Sequence, residues 1–119
     1  MLKYIFLVLP LLLLAEEDFI SHYEYGQMLY NNPRGVSCAQ CHGKSGEGKV
    51  IVSFWDTDGK KALKGPDIRL NTLKQMITSV SIYHPVMPHY YLTDEEVKVI
   101  YDYLQKKNAT YIHTHRNRR

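Results

Sequence analysis

The strongest signal in this sequence is a run of five residues, Cys38-Ala39-Gln40-Cys41-His42. A histidine directly follows two cysteines that are three positions apart, which is the C-x-x-C-H pattern of covalent c-type haem attachment. On a tight turn, each thiol can add to one of the two vinyl groups on one porphyrin edge, and His42 can then bind the iron. The pattern predicts one covalently bound haem c, with Cys38, Cys41 and His42 as its attachment site.

Three other interpretations of the pattern remain open. A thioredoxin-type redox pair needs a βαβ context, whereas this chain is rich in helical patterns. A zinc site needs a second pair of ligands; His84 and His89 are present, but the chain has only two cysteines. A structural disulfide between Cys38 and Cys41 is compatible with an exported protein but gives His42 no role.

A haem iron that transfers electrons normally has a second axial ligand. Met87 is the first candidate, because Pro88 restricts it to an extended backbone and so projects its thioether from a semi-rigid loop. A methionine opposite a histidine raises the reduction potential. The two neighbouring histidines, His84 and His89, are the alternatives; otherwise both are exposed loop residues.

Residues 1–15 have the pattern of a secretory signal peptide. Lys3 precedes an apolar stretch that ends at Ala15 and is too short to span a bilayer as a helix. An uncleaved, membrane-anchored terminus is the alternative. Export would place the protein in the periplasm or another extracytoplasmic compartment, away from the reducing cytosol.

The chain length and charge indicate one small domain. With 119 residues and a net charge of +3, the sequence has neither the size of a multidomain enzyme nor the basic patch of a nucleic-acid binder. We assign residues 16–107 to the domain and residues 108–119 to a polar, basic C-terminal tail that is expected to be frayed.

Three capping boxes predict three main helices. Each pairs a Ser or Thr N-cap with a Glu or Gln three residues later: Ser21 with Glu24, Thr72 with Gln75, and Thr93 with Glu96. The first helix should end near Asn31 and the last near Lys107.

Helical spacing also predicts which side chains are buried. The first helix is expected to bury Tyr23, Gly26, Gln27 and Tyr30, and the last to bury Val97, Ile100, Tyr101 and Leu104. Met28 and Met76 are interpreted as core residues of their helices. Between these helices, residues 43–66 are rich in glycine, and strand propensity before Asp58-Gly59 predicts a small hairpin.

Taken together, these segments resemble the class I monohaem cytochrome c family over residues 25–104. The matching segments are Gly26 with Leu29-Tyr30, Cys38-Ala39-Gln40-Cys41-His42-Gly43, Gly65-Pro66-Asp67-Ile68, Met87-Pro88 and Leu92-Thr93-Asp94-Glu95-Glu96-Val97 with Ile100 and Tyr103-Leu104. The resemblance implies an all-α fold in which the terminal helices cross at Gly26 around a covalently bound haem. It also implies that the Pro66 carbonyl accepts a hydrogen bond from Nδ1 of His42.

The implied function is single-electron transfer between redox partner proteins by a His42/Met87-ligated haem, without enzymatic activity. A haem-bearing subunit of a larger respiratory or oxidoreductase complex is the alternative, and such a complex or an uncleaved leader is the expected link to a membrane. A haem sensor or peroxidase-like enzyme would instead leave the site opposite His42 open.

Trp55 or Arg69 is expected to form a hydrogen bond with a haem propionate. The following lysines could steer an acidic partner or serve only solubility: Lys44, Lys49, Lys60, Lys61 and Lys64.

Overall fold

The computed structural model describes residues 19–118, which form five helices and one β-hairpin, with the hairpin between the second and third helices in the chain. The elements are α1 (His22–Asn31), α2 (Cys38–His42), β1 (Lys49–Asp56), β2 (Gly59–Gly65), α3 (Leu73–Ser81), α4 (Asp94–Lys107) and α5 (Ala109–Arg116). This architecture agrees with the predicted helical fold and its small hairpin. The predicted signal peptide, residues 1–15, lies outside the described residues. Within 19–118, no helix has the length and apolar character needed to cross a bilayer.

The three predicted capping boxes are all formed, so α1, α3 and α4 begin where the sequence indicates. In α4, for example, the Glu96 backbone N–H donates to the Thr93 hydroxyl at 3.1 Å, and the Thr93 N–H donates to the Glu96 carboxylate at 2.9 Å. Each box satisfies two of the N–H groups that a helix start leaves without partners. These helix starts are therefore local properties of the sequence.

Helices α1 and α4 cross at Gly26, as predicted. A Cβ atom placed on Gly26 would lie 2.5 Å from the Val99 carbonyl oxygen and 2.6 Å from Cβ of Tyr103. Both distances are far inside van der Waals contact, and one neighbour is backbone, which cannot rotate away. Glycine is therefore required for the two helices to approach this closely.

The core lies between α1, α3 and α4. Its buried side chains are Leu29, Tyr30, Met76, Val97, Ile100, Tyr103 and Leu104. Burying each of the larger apolar side chains contributes about 1.5–3 kcal/mol relative to exposure. The ring centroids of Tyr30 and Tyr103 lie 5.7 Å apart in a tilted arrangement, which is a favourable geometry for two aromatic rings.

Two predictions about buried side chains are wrong. Gln27 is exposed and Met28 is 50% exposed, because the buried stripe of α1 runs through Gly26, Leu29 and Tyr30. In α4, the predicted Tyr101 is partly buried and packs against the core, and Tyr103 is buried more completely, at 1% exposed. The close approach at Gly26 sets how each helix is rotated about its axis, and helical spacing alone does not contain that information.

The prediction of a frayed C-terminus is wrong for residues 109–116, which form α5. Ile112 is 6% exposed. The Asn108 side-chain amide joins α5 to the rest of the domain by donating to the Ser45 carbonyl at 2.7 Å and to the Leu104 carbonyl at 2.9 Å. The packed unit therefore extends beyond the predicted boundary at residue 107.

The β-hairpin is the least buried part of the fold. Strands β1 and β2 pair antiparallel from Lys49 with Gly65 to Asp56 with Gly59, and the register shifts between Val50 and Val52. Every residue of β1 is exposed. The end of β2 packs against α2, so the open end of the hairpin lies beside Cys38–His42.

Candidate cofactor site

The two cysteines and the histidine of the pentad occupy the short helix α2 (Cys38–His42). The Ala39 backbone N–H donates to the Ser37 hydroxyl at 3.2 Å at the start of the helix. The Gly43 N–H donates to the Ala39 carbonyl at 2.9 Å at its end. This single capped turn brings Cys38, Cys41 and His42 to the wall of the same cavity.

His42 is oriented by a hydrogen bond across the domain. Its Nδ1 lies 2.8 Å from the Pro66 carbonyl oxygen, as the sequence resemblance implies. A carbonyl oxygen only accepts hydrogen bonds, so Nδ1 carries the proton of this bond, and in the neutral imidazole Nε2 then keeps its lone pair. The side chain is 9% exposed. The imidazole is thus held in the tautomer that can bind a metal through Nε2.

Gly65 places Pro66 within reach of His42. A Cβ atom on Gly65 would lie 1.6 Å from the Cys41 carbonyl oxygen, a separation that no side chain permits. The chain at the end of β2 therefore runs directly against α2. Sequence reasoning quoted Gly65 only as part of a matching segment, because the contact joins residues far apart in the chain.

An apolar cavity of about 430 Å³ opens beside α2. This volume lies within the ~300–1,000 Å³ typical of ligand and cofactor sites. Its lining includes side chains from every main helix: Tyr30, Cys38, Cys41, His42, Met76, Val80, Val97 and Ile100. Ile51 and Leu63 from the hairpin also line it. A largely apolar cavity with two thiols and an imidazole at one wall suits a haem with covalent and axial attachment.

The structure sets apart one of the three candidates for the second axial ligand. Met87 and His84 line the cavity, whereas His89 is exposed and does not. Nε2 of His84 lies 2.8 Å from the Ser79 carbonyl oxygen, to which it donates. That bond holds the His84 ring against the end of α3. In the neutral ring this bond leaves the lone pair on Nδ1, so His84 and Met87 both remain candidates, and the Met87 thioether differs in carrying no proton at all.

Burial also shifts the acidity of groups around α2. It raises the pKa of the Cys38 thiol to about 11, because the thiolate would be poorly solvated there. It raises the pKa of Tyr90 to about 12 for the same reason. Cys38 therefore stays a protonated thiol at neutral pH, which makes it a weak nucleophile toward disulfides and oxidants.

Two tyrosines that sequence reasoning did not assign to the site hold the segment around α2. The Tyr30 hydroxyl donates to the Gly43 carbonyl at 2.5 Å, and the Tyr90 hydroxyl donates to the Val36 carbonyl at 2.5 Å. Both rings line the cavity. Ten tyrosines in the chain were a compositional signal, but composition does not identify which of them reach α2.

The expected propionate partners do not line the cavity. Trp55 is 77% exposed on the hairpin. The Arg69 guanidinium instead pairs with the Asp67 carboxylate at 2.7 Å and stacks on Tyr111 of α5, 3.4 Å from the ring centroid. The arginine lowers the pKa of Asp67 through these hydrogen bonds. Arg69 therefore contributes to the attachment of α5, a role that the sequence did not suggest.

All five lysines considered as docking residues are exposed, and Lys64 also borders the cavity.

Comparison with protein families gives one result: a family model described as cytochrome c matches residues 23–108. Comparisons with curated proteins and with solved structures returned no match. The family match runs from the second residue of α1 to the end of α4 and therefore includes every residue of the cavity lining named above.

Proposed function

Because the chain belongs to the cytochrome c family, whose members bind haem c covalently, we propose that it carries single electrons through a haem ligated by His42 and Met87. Bound haem supplies a reversible one-electron change at iron. The observation that carries the proposal is the cavity itself, where the attachment residues and Met87 line one apolar space. We further propose that the electrons pass between partner proteins outside the cytoplasm, consistent with the signal-peptide pattern of residues 1–15.

In this account the protein residues have separate tasks. Cys38 and Cys41 provide the sulfur atoms for covalent attachment. The hydrogen bond from His42 to Pro66 fixes the imidazole and makes it a stronger donor toward iron. The apolar walls exclude water, so the charge change at the cofactor requires little rearrangement around it.

Electron transfer without bond chemistry requires that both axial positions be filled by the protein. With His42 on one side and Met87 on the other, substrates and oxygen would find no open position on iron. This distinguishes the proposed carrier from a haem sensor or a peroxidase-like enzyme. We therefore propose no enzymatic activity for the isolated protein.

Carbon monoxide tests this function directly. Haem-loaded protein, reduced with dithionite at neutral pH, is exposed to carbon monoxide while its visible spectrum is recorded. The carrier proposal predicts that the spectrum of the reduced protein stays unchanged. Rapid and complete carbon monoxide binding would show an open axial position and would overturn the proposal in favour of a sensor or enzyme.

The proposed partners are redox proteins with an acidic face, because exposed lysines of the hairpin lie near the cavity. Stopped-flow electron transfer to an acidic partner should slow as salt rises, since opposite charges then attract less strongly. A haem-bearing subunit of a larger complex remains the second candidate, favoured by the exposed apolar strand β1. Gel filtration of the native protein distinguishes a free carrier from a subunit held in a complex.

A further inference from the structure

The hairpin has two free edges, one on each strand. Strands β1 and β2 pair with each other, and no third strand joins them within residues 19–118. The outer edge of each strand therefore presents unpaired backbone N–H and C=O groups. Such an edge is a template for a further strand, and proteins commonly guard it with lysines, prolines or bulges.

The two edges are guarded very differently. Strand β2 carries three lysines in seven residues, Lys60, Lys61 and Lys64. Strand β1 has no charged residue and no proline between its first and last positions; it carries a bulge-like register shift between Val50 and Val52, and its pairing is regular from Val52 to Asp56. The apolar side chains exposed there are Val50 (48%), Val52 (48%), Phe54 (46%) and Trp55 (77%), whereas Ile51 lines the cofactor cavity. A contiguous exposed apolar strand of this kind indicates a surface that another molecule covers.

We propose that a second copy of this chain covers it, by antiparallel pairing of β1 with β1. The charges at the strand ends select this arrangement. Strand β1 begins at Lys49 and ends at Asp56, so antiparallel copies place each lysine beside the opposite aspartate. A parallel arrangement would place like charges together at both ends.

The resulting assembly is a continuous four-stranded sheet with two-fold symmetry. Both β2 strands become its outer edges, so the lysines of β2 stay far from their counterparts in the other copy. A two-fold contact of this kind closes on itself and does not propagate into fibres. The guarded β2 edge then protects the dimer from further strand addition.

A pair of opposed residues in the hairpin gives a matched test. Ser53 on β1 and Ala62 on β2 face each other across the ladder, and both are exposed. Sedimentation velocity of the haem-loaded protein is recorded over a range of concentrations for the natural sequence, Ser53→Lys and Ala62→Lys. Each variant adds the same charge at the same level of the hairpin, but on opposite edges.

The proposal predicts a concentration-dependent dimer of the natural protein. Ser53→Lys should raise the dimer dissociation constant by roughly tenfold or more, because it brings two like charges together near the symmetry axis. Ala62→Lys should leave that constant within about twofold. An unchanged haem spectrum in both variants shows that the domain has kept its fold. A monomer at every concentration, or an equal response to both lysines, would overturn the proposal.

Cross-linking tests the same interface without adding charge. Ser53 lies near the middle of β1, so the two copies of a Ser53→Cys variant meet near the symmetry axis. Mild oxidation of haem-loaded protein should link Ser53→Cys into a covalent dimer and leave Ala62→Cys mostly monomeric. Preferential linking of Ala62→Cys would overturn the proposal. So would a monomer that binds anionic phospholipid vesicles and loses that binding in Trp55→Ala, since β1 would then face a lipid surface.

Discussion

His42 and Pro66 lie 24 positions apart in the sequence, yet one hydrogen bond of 2.8 Å joins them and fixes the imidazole tautomer. The sequence alone could indicate this bond only through a family resemblance, because no spacing rule relates a histidine to so distant a carbonyl. The bond can form because the chain at Gly65 runs directly against α2 and so brings Pro66 to His42. Spacing within the pentad, by contrast, is sufficient to predict that Cys38 and Cys41 share one site.

Met87→Ala tests the proposed second axial ligand. Losing the thioether removes the donor that favours ferrous iron, so the reduction potential should fall by on the order of 100 mV or more. The reduced variant should also bind carbon monoxide. Spectroelectrochemical titration measures the potential, with Met28→Ala as the control because Met28 is half exposed on α1. An unchanged potential and spectrum in Met87→Ala would transfer the ligand role to His84.

At the scale of elements, helix starts were predictable and helix faces were less so. Capping boxes are contained in four consecutive residues, which is why α1, α3 and α4 begin where the sequence indicates. The rotation of α1 depends on where Val99 and Tyr103 of α4 meet Gly26, which is a contact between distant segments. Helix α5 has no side-chain cap, and its attachment depends on Arg69 and Asn108.

Gly26→Ala tests the helix crossing. The added methyl group would overlap the Val99 carbonyl of α4, so the helices must separate and the free energy of unfolding should fall by about 1–3 kcal/mol. Denaturant unfolding of the haem-loaded protein measures this change. Gln27→Ala on the exposed side of α1 is the control and should have little effect. Equal stability of Gly26→Ala and the natural protein would contradict the close crossing.

Ile112→Ala tests the packing of α5. Removing a side chain that is 6% exposed should lower the free energy of unfolding by about 2–4 kcal/mol, since it loses buried apolar area and leaves a cavity. The exposed neighbour His113 provides the control variant His113→Ala. If both variants unfold at the same denaturant concentration as the natural protein, the end of the chain is frayed, as the sequence had suggested.

At the scale of the whole molecule, polar contacts link segments that the hydrophobic pattern does not connect. Nη2 of Arg34, just after α1, lies 2.7 Å from the Glu96 carboxylate at the start of α4. This hydrogen bond lowers the pKa of Glu96 to about 2 from an ordinary value of 4.5. A carboxyl group with a lowered pKa stabilises the fold above its ordinary pKa and loses that contribution as the pH falls.

Glu96→Gln tests this link through its pH dependence. The amide preserves the capping box with Thr93 but removes the charge that pairs with Arg34. The natural protein should be more stable than the variant at pH 6, and the difference should shrink as the pH falls from about 4.5 towards 2. Thermal unfolding across this range measures it, and Glu95→Gln is the control because that exposed residue lies outside the pair. A difference independent of pH would contradict the assigned cause.

The central claim is that haem is bound covalently in the cavity between α2 and Met87, and the visible spectrum tests it most directly. The protein is matured in an oxidising, haem-supplying compartment, and a reduced-minus-oxidised spectrum is recorded before and after denaturing electrophoresis. The account predicts a low-spin c-type spectrum and a pigment that remains on the denatured chain, lost when Cys38 and Cys41 are both replaced by alanine. A colourless natural protein, or pigment retained by that double variant, would contradict it.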